Sequence, residues 1–531
     1  MQLSGKSLIG FRDGAPGNDV FHAFSPSSGE MIDPPFHSAS TQEVELAAKL
    51  ADEAFPAYSR ITGSEKASFL RTIAAEIERV ADQLVARAHQ ETALPEPRLR
   101  SELARTCGQL RLFASVVEEG SWTAPRIDRA DANRKPIAKP DLRCKLVPLG
   151  PVVVFGASNF PLAFSVAGGD TASALAAGNP VIVKAHPAHP GTSELVGHAI
   201  RAGVQKCNLP EGVFALLFDS GTSIGRRLVQ HPLVKAAAFT GSLAAGRSLF
   251  DLAVSRPDPI PFYGEMASTN PVFLLPGAVT TRGEKIASDL YASFTLGGGQ
   301  FCTKPGLVFV RESPHLQDFL TVLREKVSAS SSPTLLTRGI ASAYEQVSAH
   351  RSREVHLDSL TRGKSSESKG PNTAAVALFE TDISAFLANP SLASEHFGPS
   401  TLLIRYADKE QILECARGLV GHLTATIQGT AEDLQEHADL IRILETKVGR
   451  IVFNGYPTGV EVCHAMVHGG PYPASTDPRT TSVGSLAILR FVRPLCYQDF
   501  PNFALPPELQ NENPLGIWRL VDGEYVRASA C

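Results

Sequence analysis

The chain lacks the features that mark several specialised classes of protein. No apolar run reaches the roughly 18 residues that a membrane-spanning helix requires. Residues 1–30 have no charged start followed by an apolar core, so no secretory signal is visible. The formal net charge of −4 gives no electrostatic reason to expect nucleic acid or an anionic membrane as a partner. We therefore expect neither partner, and hydrophobic and charged fractions of 43% and 20% indicate an ordinary globular protein of two or three packed units.

The cysteines also lack any pattern that would cross-link the chain or form a zinc ribbon. Eight are scattered without CxxC pairs or regular spacing: Cys107, Cys144, Cys207, Cys302, Cys415, Cys463, Cys496 and Cys531. A disulfide scaffold or zinc ribbon is therefore not expected, whereas a reducing compartment, by default the cytoplasm, is.

A glycine-rich dinucleotide fingerprint is missing where the rest of the pattern predicts a nucleotide-binding sheet. Short apolar strands alternate with helices: strands 151–156, 180–185, 213–218 and 235–241, and helices 162–177, 192–202, 223–230 and 242–254. This alternation predicts a parallel sheet that binds ligands at its carboxyl edge. The first turn, "FGASNFPLAF", has only Gly156, whereas "FTGSLAAG" (239–246) offers small residues that let a cofactor approach the backbone. Ordinary helix capping by Ser242 is the alternative interpretation.

The remaining chain predicts helices before this sheet and a second α/β unit after it. Residues 41–118 have helical periodicity, with a capping box at Ser40 and Glu43 and an N-cap at Ser64. The second unit is predicted to have strands 270–275, 306–312 and 448–455 and helices 283–296 and 314–329. Three further segments are interpreted as an extended excursion (122–145), a surface loop (359–372) and a C-terminal tail from 475 with a strand-like "SVGSLAILRFVRP".

One cysteine stands in an unusual context. In "SFTLGGGQFCTKPG" (293–306), Cys302 lies between three glycines and a Thr-Lys-Pro-Gly turn. A thiol kept for packing belongs in an apolar helix or strand. A thiol kept for chemistry needs room for a substrate, and we expect a flexible, uncovered loop to provide it.

Several motifs occur together in a characteristic order. They are "SNFP" (158–161), "VIVKAHPAHPG" (181–191), "FTGS" (239–242), "YGEMASTNPV" (263–272), "GQFCTKPG" (299–306) and "EHFGP" (395–399). Over nearly the whole chain, the sequence resembles the aldehyde dehydrogenase superfamily. The stretches "SVAGGDTASALAAGNPVIVKAHPAHPGTSEL" and "GVEVCHAMVHGGPYPASTDPRTTSVGSLAI" look like its NADP-preferring branch, which includes 2,5-dioxovalerate (α-ketoglutaric semialdehyde) dehydrogenases and a bacterial long-chain aldehyde dehydrogenase.

The resemblance implies an α/β fold with three parts. A Rossmann-like cofactor domain is expected at 1–121 and 146–258, and an α/β catalytic domain at 259–470. A small β excursion, 122–145 with 471–531, is expected to mediate assembly into a homodimer or homotetramer.

The resemblance also implies the catalytic residues. Cys302 would be the nucleophile, Glu265 the general base with a raised pKa, and Asn159 the side-chain donor to the oxyanion. The alternatives are a buried structural cysteine, an exposed loop carboxylate and an asparagine that satisfies a turn.

For the cofactor, the resemblance implies contacts from Lys184, Gly241, Ser242, Glu395 and Phe397, each of which has ordinary loop or capping chemistry as its alternative. NAD-specific relatives have a glutamate three residues after the lysine, where this chain has Pro187. Without that carboxylate a 2′-phosphate is not repelled, so NADP is expected as cofactor, with NAD possible. Lys184 is the first candidate partner of the 2′-phosphate, and Arg226 and Arg227 are the others.

The segment "EVCHAMVHGG" (461–470) has a spacing that metal ligands on one helix face would use, because His464 and His468 are four residues apart. Gly469 and Gly470 would end such a helix at once, so no metal is expected. Lining the aldehyde tunnel is the preferred interpretation of this segment.

The predicted function is NADP-dependent oxidation of an aldehyde to a carboxylate, with α-ketoglutaric semialdehyde as the substrate by resemblance. Alternatives are a long-chain or other aliphatic aldehyde, transfer to coenzyme A, and a non-catalytic binding protein.

Overall fold

A computed structural model describes residues 2–17, 19–353, 359–364 and 372–529. The helices are α1 Thr41–Tyr58, α2 Gly63–Arg79, α3 Ala81–Thr92, α4 Glu96–Glu119, α5 Gly169–Ala177, α6 Pro190–Lys206, α7 Ser223–Gln230, α8 Leu243–Val254, α9 Pro276–Thr295, α10 Leu316–Ala329, α11 Arg338–Arg351, α12 Ile383–Ala388, α13 Lys409–Gly418, α14 Ala431–Glu436 and α15 Ala438–Leu444.

The strands are β1 Leu8–Ile9, β2 Arg12–Asp13, β3 Val20–Phe24, β4 Met31–His37, β5 Arg126–Asp128, β6 Leu142–Pro148, β7 Val152–Phe155, β8 Val181–Lys184, β9 Phe214–Leu217, β10 Ala236–Thr240, β11 Phe262–Glu265, β12 Val272–Leu274, β13 Leu307–Arg311, β14 Ser359–Arg362, β15 Ala377–Asp382, β16 Ser400–Tyr406, β17 His422–Gln428, β18 Val448–Phe453, β19 Val492–Gln498, β20 Arg519–Val521 and β21 Glu524–Val526.

The first sheet has the order β11-β10-β7-β8-β9-β1-β2. Strands β7 to β11 are parallel, which confirms the prediction, and β1 is added antiparallel to β9. Each of the strands β7, β8, β9 and β11 has four residues, and all of them are buried, as expected for strands covered by helices on both faces. The chain passes from β7 through β8 to β9 and then returns to the other side of β7 at β10. This reversal opens a crevice at the carboxyl ends of the strands.

The second sheet has the order β14-β15-β16-β13-β12-β17-β18. It is parallel except for β14, which pairs antiparallel with β15. Phe273 of β12 and Phe309 of β13 stack with ring centroids 5.1 Å apart and belong to the core on one face of this sheet. Cys302 lies in the loop that leads into β13, so this sheet positions the thiol.

A third sheet, β19-β6-β5-β20-β21, joins the 126–148 region to the C-terminal tail. β19 pairs with β6 along seven residues, and β20 pairs with both β5 and β21. Strands β3 and β4 form a separate two-stranded sheet. Among the residues that the structure describes, no helix has both the length and the hydropathy to cross a membrane.

The ends of α1 and α2 test the capping predictions. The capping box of Ser40 and Glu43 is present at α1. The predicted N-cap at Ser64 is wrong, because Thr62 caps α2: its hydroxyl accepts from the Glu65 amide at 3.1 Å, and the Glu65 carboxylate accepts from the Thr62 amide at 2.7 Å. The reciprocal pair at a spacing of three satisfies two amides that Ser64 would leave open.

Three other boundaries differ from the sequence prediction. The helix predicted from residue 162 begins only at Gly169, because the Glu102 carboxylate accepts from the amides of Leu162 and Ala163 at 2.9 and 3.0 Å and holds that segment in turns. The strand-like tail begins as a 3₁₀ helix, Ser485–Phe491, of which Ala487, Ile488 and Phe491 pack into the core. The predicted surface loop 359–372 starts with strand β14, and its residues 365–371 lie outside the described part.

Candidate active site

The glycines before Cys302 have a structural reason that the sequence prediction missed. Gly297, Gly298 and Gly299 all have positive φ, from 57° to 68°, a region that favours glycine. A Cβ at Gly299 would lie 2.2 Å from the Gly398 carbonyl oxygen. Gly298 and Gly299 are buried, so the expectation of an uncovered, flexible loop is wrong. The glycines allow a closely packed turn that fixes the position of the thiol.

Two asparagines hold the thiol loop from either side. The Asn270 side-chain amide donates to the carbonyls of Cys302 and Lys304 at 2.8 and 3.0 Å. Asn159, which follows β7, donates its side-chain amide to the Gln300 carbonyl at 2.9 Å. The predicted oxyanion donor therefore lies against the thiol loop, at the junction between the first and second sheets.

Cys302, Glu265 and His468 meet in one cluster. The His468 Nε2 atom is 3.4 Å from the Cys302 sulfur and 3.1 Å from a Glu265 carboxylate oxygen. The sulfur, this nitrogen and a carboxylate oxygen all lie within 4.8 Å of one another. Glu265 ends β11, and its second oxygen accepts from the Ser482 hydroxyl at 2.9 Å. Three distant parts of the chain thus bring a thiol, an imidazole and a carboxylate together.

The cluster perturbs the pKa values of its members. Burial raises the pKa of the Cys302 thiol well above its ordinary value, and the adjacent Glu265 charge raises it further. Burial would also raise the pKa of Glu265, but His468, Ser482 and Cys302 outweigh burial, and the pKa is lowered. The raised pKa expected for Glu265 is therefore wrong, because the imidazole and the hydroxyl stabilise its ionised form. The resting site holds a protonated thiol beside an ionised carboxylate.

The histidine pair of the 461–470 segment is separated in the structure. His468 is buried and contacts the ring of Phe164, with centroids 6.0 Å apart, whereas His464 is exposed. The segment is irregular, so the two histidines do not share a helix face. His468 faces the thiol and the carboxylate, a more specific place than the tunnel wall expected for it.

A cavity of about 480 Å³ lies at the carboxyl edge of the first sheet. It is lined by residues that follow successive parallel strands, among them Gly156 after β7, Lys184 ending β8, and Gly241 and Ser242 after β10. The Gly241 amide also donates to the Glu265 carbonyl at 3.1 Å, which joins this cavity to the catalytic cluster. The cavity is therefore positioned to place a bound group beside the thiol.

The lining of this cavity fits an anionic dinucleotide. Lys184 and Arg226 line it, and no aspartate or glutamate is among the lining residues that the structure describes. Lys184 is buried and donates to the Asp219 carbonyl at 2.9 Å. Pro187 lines the cavity at the position where NAD-specific relatives are expected to have a carboxylate, and Arg227 is not part of the lining. Hydroxyl, amide and cationic donors suit phosphate and ribose oxygens.

Glu395 and Phe397 do not line this cavity. Their loop lies against the thiol loop, because Gly398 packs on Gly299. Burial raises the pKa of Glu395 and lowers that of the neighbouring Lys304, whose ammonium group donates to the His396 and Ser400 carbonyls, both at 2.8 Å. Glu395 and Phe397 therefore lie in a loop that packs against the thiol loop, outside the lining of the cavity.

Sequence reasoning missed the groups that position or surround the thiol. Asn270 lies in the quoted motif "YGEMASTNPV" but was not singled out. Arg98 and Arg105 lie seven residues apart on α4, on the helix face that meets the site: their guanidinium carbons lie over the rings of Phe160 and Phe164 at 5.1 and 5.0 Å. The signal was available, since arginines spaced by seven share a helix face.

Comparisons with known proteins identify the family. The family described as "Aldehyde dehydrogenase family" matches residues 11–476. The chain is 51% identical over 525 residues to "Alpha-ketoglutaric semialdehyde dehydrogenase 2" of Azospirillum brasilense, a match that covers 99% of this chain and 100% of that protein. It is 46% identical to "Alpha-ketoglutaric semialdehyde dehydrogenase" of Acinetobacter baylyi, with 92% of each chain covered.

Solved structures share the fold. The 3,6-anhydro-L-galactose dehydrogenase in complex with NAP has a TM-score of 0.79 at 19% identity, covering 93% of this chain and 99% of that one. The 1-pyrroline-5-carboxylate dehydrogenase from Thermus with bound NAD has a TM-score of 0.77 at 20% identity, covering 93% and 92%. These matches confirm the resemblance and the α/β fold that the motifs implied. With its thiol, carboxylate and amide gathered beside a cavity that suits a dinucleotide, this chain belongs to the aldehyde dehydrogenase family.

Proposed function

We propose that this protein oxidises α-ketoglutaric semialdehyde to 2-oxoglutarate with NADP⁺ as the cofactor. The observation that carries the proposal is the cluster of Cys302, Glu265 and His468 within 4.8 Å, joined through Glu265 to the cavity at the sheet edge. The substrate rests on the full-length identity of 51% to a protein of that name.

In the proposed reaction, Cys302 attacks the aldehyde carbon and forms a thiohemiacetal. The thiol is protonated at rest, so a base must take its proton as the bond forms. Glu265 is ionised and close enough to do so, and His468 contacts both groups. The Asn159 amide, which donates to the Gln300 carbonyl in the structure, is proposed to stabilise the negative oxygen together with a backbone amide of the loop. One such donor typically contributes about 3 kcal/mol to lowering the barrier.

A nicotinamide dinucleotide is the cofactor typical of this family. When bound, it accepts the hydride that converts the thiohemiacetal into a thioester. Lys184, Ser242 and Arg226 are the residues proposed to hold it, because they supply donors around the cavity. After the thiol proton has passed from Glu265 to solvent, the ionised Glu265 activates a water molecule that hydrolyses the thioester. The acid is released, and the proton taken from that water restores the Cys302 thiol. Glu395 and Phe397 are proposed to contact the nicotinamide half, since their loop packs on the thiol loop.

The preference for NADP⁺ is proposed from charge. Lys184 and Arg226 face a cavity without a described carboxylate, and Pro187 removes the side chain that would select a free 2′-hydroxyl. Arg226 follows Gly225 at the start of α7, where it can reach a phosphate at the adenosine end of the cavity.

The domain division stays a proposal, with residues 122–145 and 471–531 as the assembly segments. Large apolar side chains are strongly exposed there: Phe503 is 86% exposed, and Ile137 and Tyr525 are each 73% exposed. A homo-oligomer that covers these side chains is proposed, and light scattering at several concentrations would measure its size.

A substrate panel that follows nicotinamide reduction tests the proposed function. We expect α-ketoglutaric semialdehyde to have the highest kcat/KM, ahead of aliphatic aldehydes from pentanal to decanal, with NADP⁺ preferred over NAD⁺. Trapping with hydroxylamine should detect the thioester. A highest kcat/KM for decanal would favour the long-chain alternative, and product formation only with coenzyme A present would replace hydrolysis by acyl transfer.

A further inference from the structure

Arg105 on α4 carries a guanidinium group that has no hydrogen-bond acceptor in the described part of the chain. Its Nε and Nη2 atoms are both buried and without a hydrogen-bond partner. Its contact is the ring of Phe164, 5.0 Å from the guanidinium carbon. Buried cations are normally paired, because an unsatisfied charged donor loses its water without compensation. Arg105 as a residue is half-buried, and its two buried donors without an acceptor indicate a place for an anionic partner.

The location of Arg105 connects it to the catalytic cluster. Phe164 lies between the guanidinium group and His468, whose ring centroid is 6.0 Å from that of Phe164. His468 in turn contacts the Cys302 sulfur at 3.4 Å. The guanidinium group is also close enough to favour the thiolate form of Cys302, against the effects of burial and of Glu265, which raise its pKa. Arg105 and His468 thus contact the same ring, that of Phe164, and the charge of Arg105 acts on the Cys302 thiol.

The nearest acidic candidate on the same helix does not pair with Arg105. The Oε1 atom of Glu102 accepts from the amides of Leu162 and Ala163. No ion pair within 4 Å joins Glu102 to Arg105 in the ranges that the structure covers. One Glu102 oxygen therefore shapes the 162–168 turns. The Glu102 charge acts on Arg105, but no hydrogen bond joins the two side chains in the described residues, so the Nε and Nη2 donors of Arg105 remain available.

We infer that Arg105 binds the distal carboxylate of the substrate while the aldehyde group lies at Cys302. This inference rests on the proposed function and adds the group that recognises the acid end of the substrate. A guanidinium group matches a carboxylate with two parallel N–H donors, and Nε and Nη2 form such a pair.

The size of the substrate agrees with this placement. In an extended five-carbon chain, the carboxylate carbon lies about 5 Å from the aldehyde carbon. The guanidinium carbon and the His468 ring lie 5.0 and 6.0 Å from the Phe164 centroid, so a chain of this length that starts at the thiol extends toward the Arg105 donors. Arg98, seven residues earlier on α4, lies over the ring of Phe301 at 4.7 Å and has a buried Nη1 atom without a partner, but it donates its Nη2 to the Asn159 carbonyl at 2.9 Å. Arg98 is therefore partly committed, and Arg105 is the better carboxylate partner.

The test compares α-ketoglutaric semialdehyde, here called the keto acid aldehyde, with pentanal, which has the same chain length but no carboxylate. The ratio of their kcat/KM values should fall about 10- to 100-fold in Arg105→Met, because a charge-assisted bidentate contact is lost. The loss should appear mainly in KM for the keto acid aldehyde. Arg105→Lys, which keeps a point charge, should give an intermediate ratio, and competitive inhibition by 2-oxoglutarate should weaken in parallel. Arg100→Met on the exposed face of the same helix, where Arg100 pairs with Asp82 at 3.0 Å, is the matched control and should keep the wild-type ratio.

The outcomes separate this inference from the proposed function. If Arg105→Met slows both aldehydes equally, the residue acts through the thiolate and the carboxylate assignment is wrong. An unchanged ratio also overturns it, while wild-type turnover of the keto acid aldehyde would leave the proposed function intact. If the wild-type enzyme oxidises pentanal but not the keto acid aldehyde, the proposed function fails and the assignment fails with it. Thermal unfolding shows whether each variant is folded. If Arg105→Met does not fold, the ratio of the two kcat/KM values in Arg105→Lys tests the carboxylate assignment instead.

Discussion

Replacing Glu265 with glutamine is expected to make the Cys302 thiol more reactive toward alkylation while abolishing turnover. In the structure Cys302 is half-buried, and its sulfur lies within 4.8 Å of a Glu265 carboxylate oxygen. Two unit charges about 4.8 Å apart repel each other by about 3 kcal/mol at an effective dielectric constant of about 20. Each 1.4 kcal/mol corresponds to a factor of ten. If solvent screening leaves about half of this repulsion, about 1.5 kcal/mol, its removal predicts roughly tenfold more thiolate in Glu265→Gln at pH 8.

The assay is alkylation by iodoacetamide without cofactor, with the modified Cys302 peptide quantified by mass spectrometry. Burial and the carboxylate raise the pKa of the wild-type thiol, so its alkylation rate should keep increasing as the pH rises past 9. The variant should reach the same rate at lower pH. Exposed Cys496, far along the chain on β19, serves as an internal reference.

Glu461→Gln is the matched control, because Glu461 is an exposed carboxylate in the segment that leads to His468. It should leave the alkylation rate of Cys302 unchanged. If Glu265→Gln reacts at the wild-type rate or more slowly, the carboxylate does not suppress the resting thiolate. Glu265 would then act as the base that generates a resting thiolate, and the argument from charge repulsion would be refuted.

Three further predictions follow from the site and the fold. Cys302→Ala should abolish aldehyde oxidation and keep NADP⁺ binding, measured by calorimetry, because the sulfur lies outside the dinucleotide cavity; retained turnover would disprove the nucleophile assignment. Pro187→Glu should raise the KM for NADP⁺ at least tenfold and change the KM for NAD⁺ much less, because it adds a carboxylate to the cavity lining that repels the 2′-phosphate. Equal changes in both KM values would show that the 2′-phosphate binds elsewhere. Thr62→Ala should lower the free energy of unfolding by about 1 kcal/mol through loss of the capping box, measured by denaturation of the purified protein. The nearby exposed Ser64→Ala should have little effect, and a larger loss for Ser64→Ala would contradict the cap assignment.

The sequence was sufficient for the parallel sheet and for the chemistry of the central residues. The short apolar runs 151–156 and 180–185 predict β7 and β8, because a strand covered on both faces needs apolar side chains throughout. Local signals were less reliable at boundaries. The turns from Leu162 to Gly168 are stabilised by Glu102, which is far away in the sequence, and no local propensity contains that contact.

The environment of the site was less predictable than its members. Cys302, Glu265 and Asn159 were identified from their motifs, but the direction of the Glu265 pKa shift depends on His468 and Ser482, which approach from more than two hundred residues away. Motif context suggested a partly apolar pocket, and burial alone would have raised that pKa. Distant partners that stabilise the charged form reversed the result.

The amino-acid sequence by itself therefore determined the class of fold, the candidate nucleophile and the absence of a carboxylate at Pro187, because these depend on residue type and periodicity along the chain. The tertiary structure decided which charges and donors meet. The left-handed turn at Gly297–Gly299, the His468 contact with both reacting groups and the unpaired guanidinium of Arg105 all arise from packing between segments far apart in sequence. Electrostatic energies depend on distance in space and on burial, and the order of residues contains neither quantity.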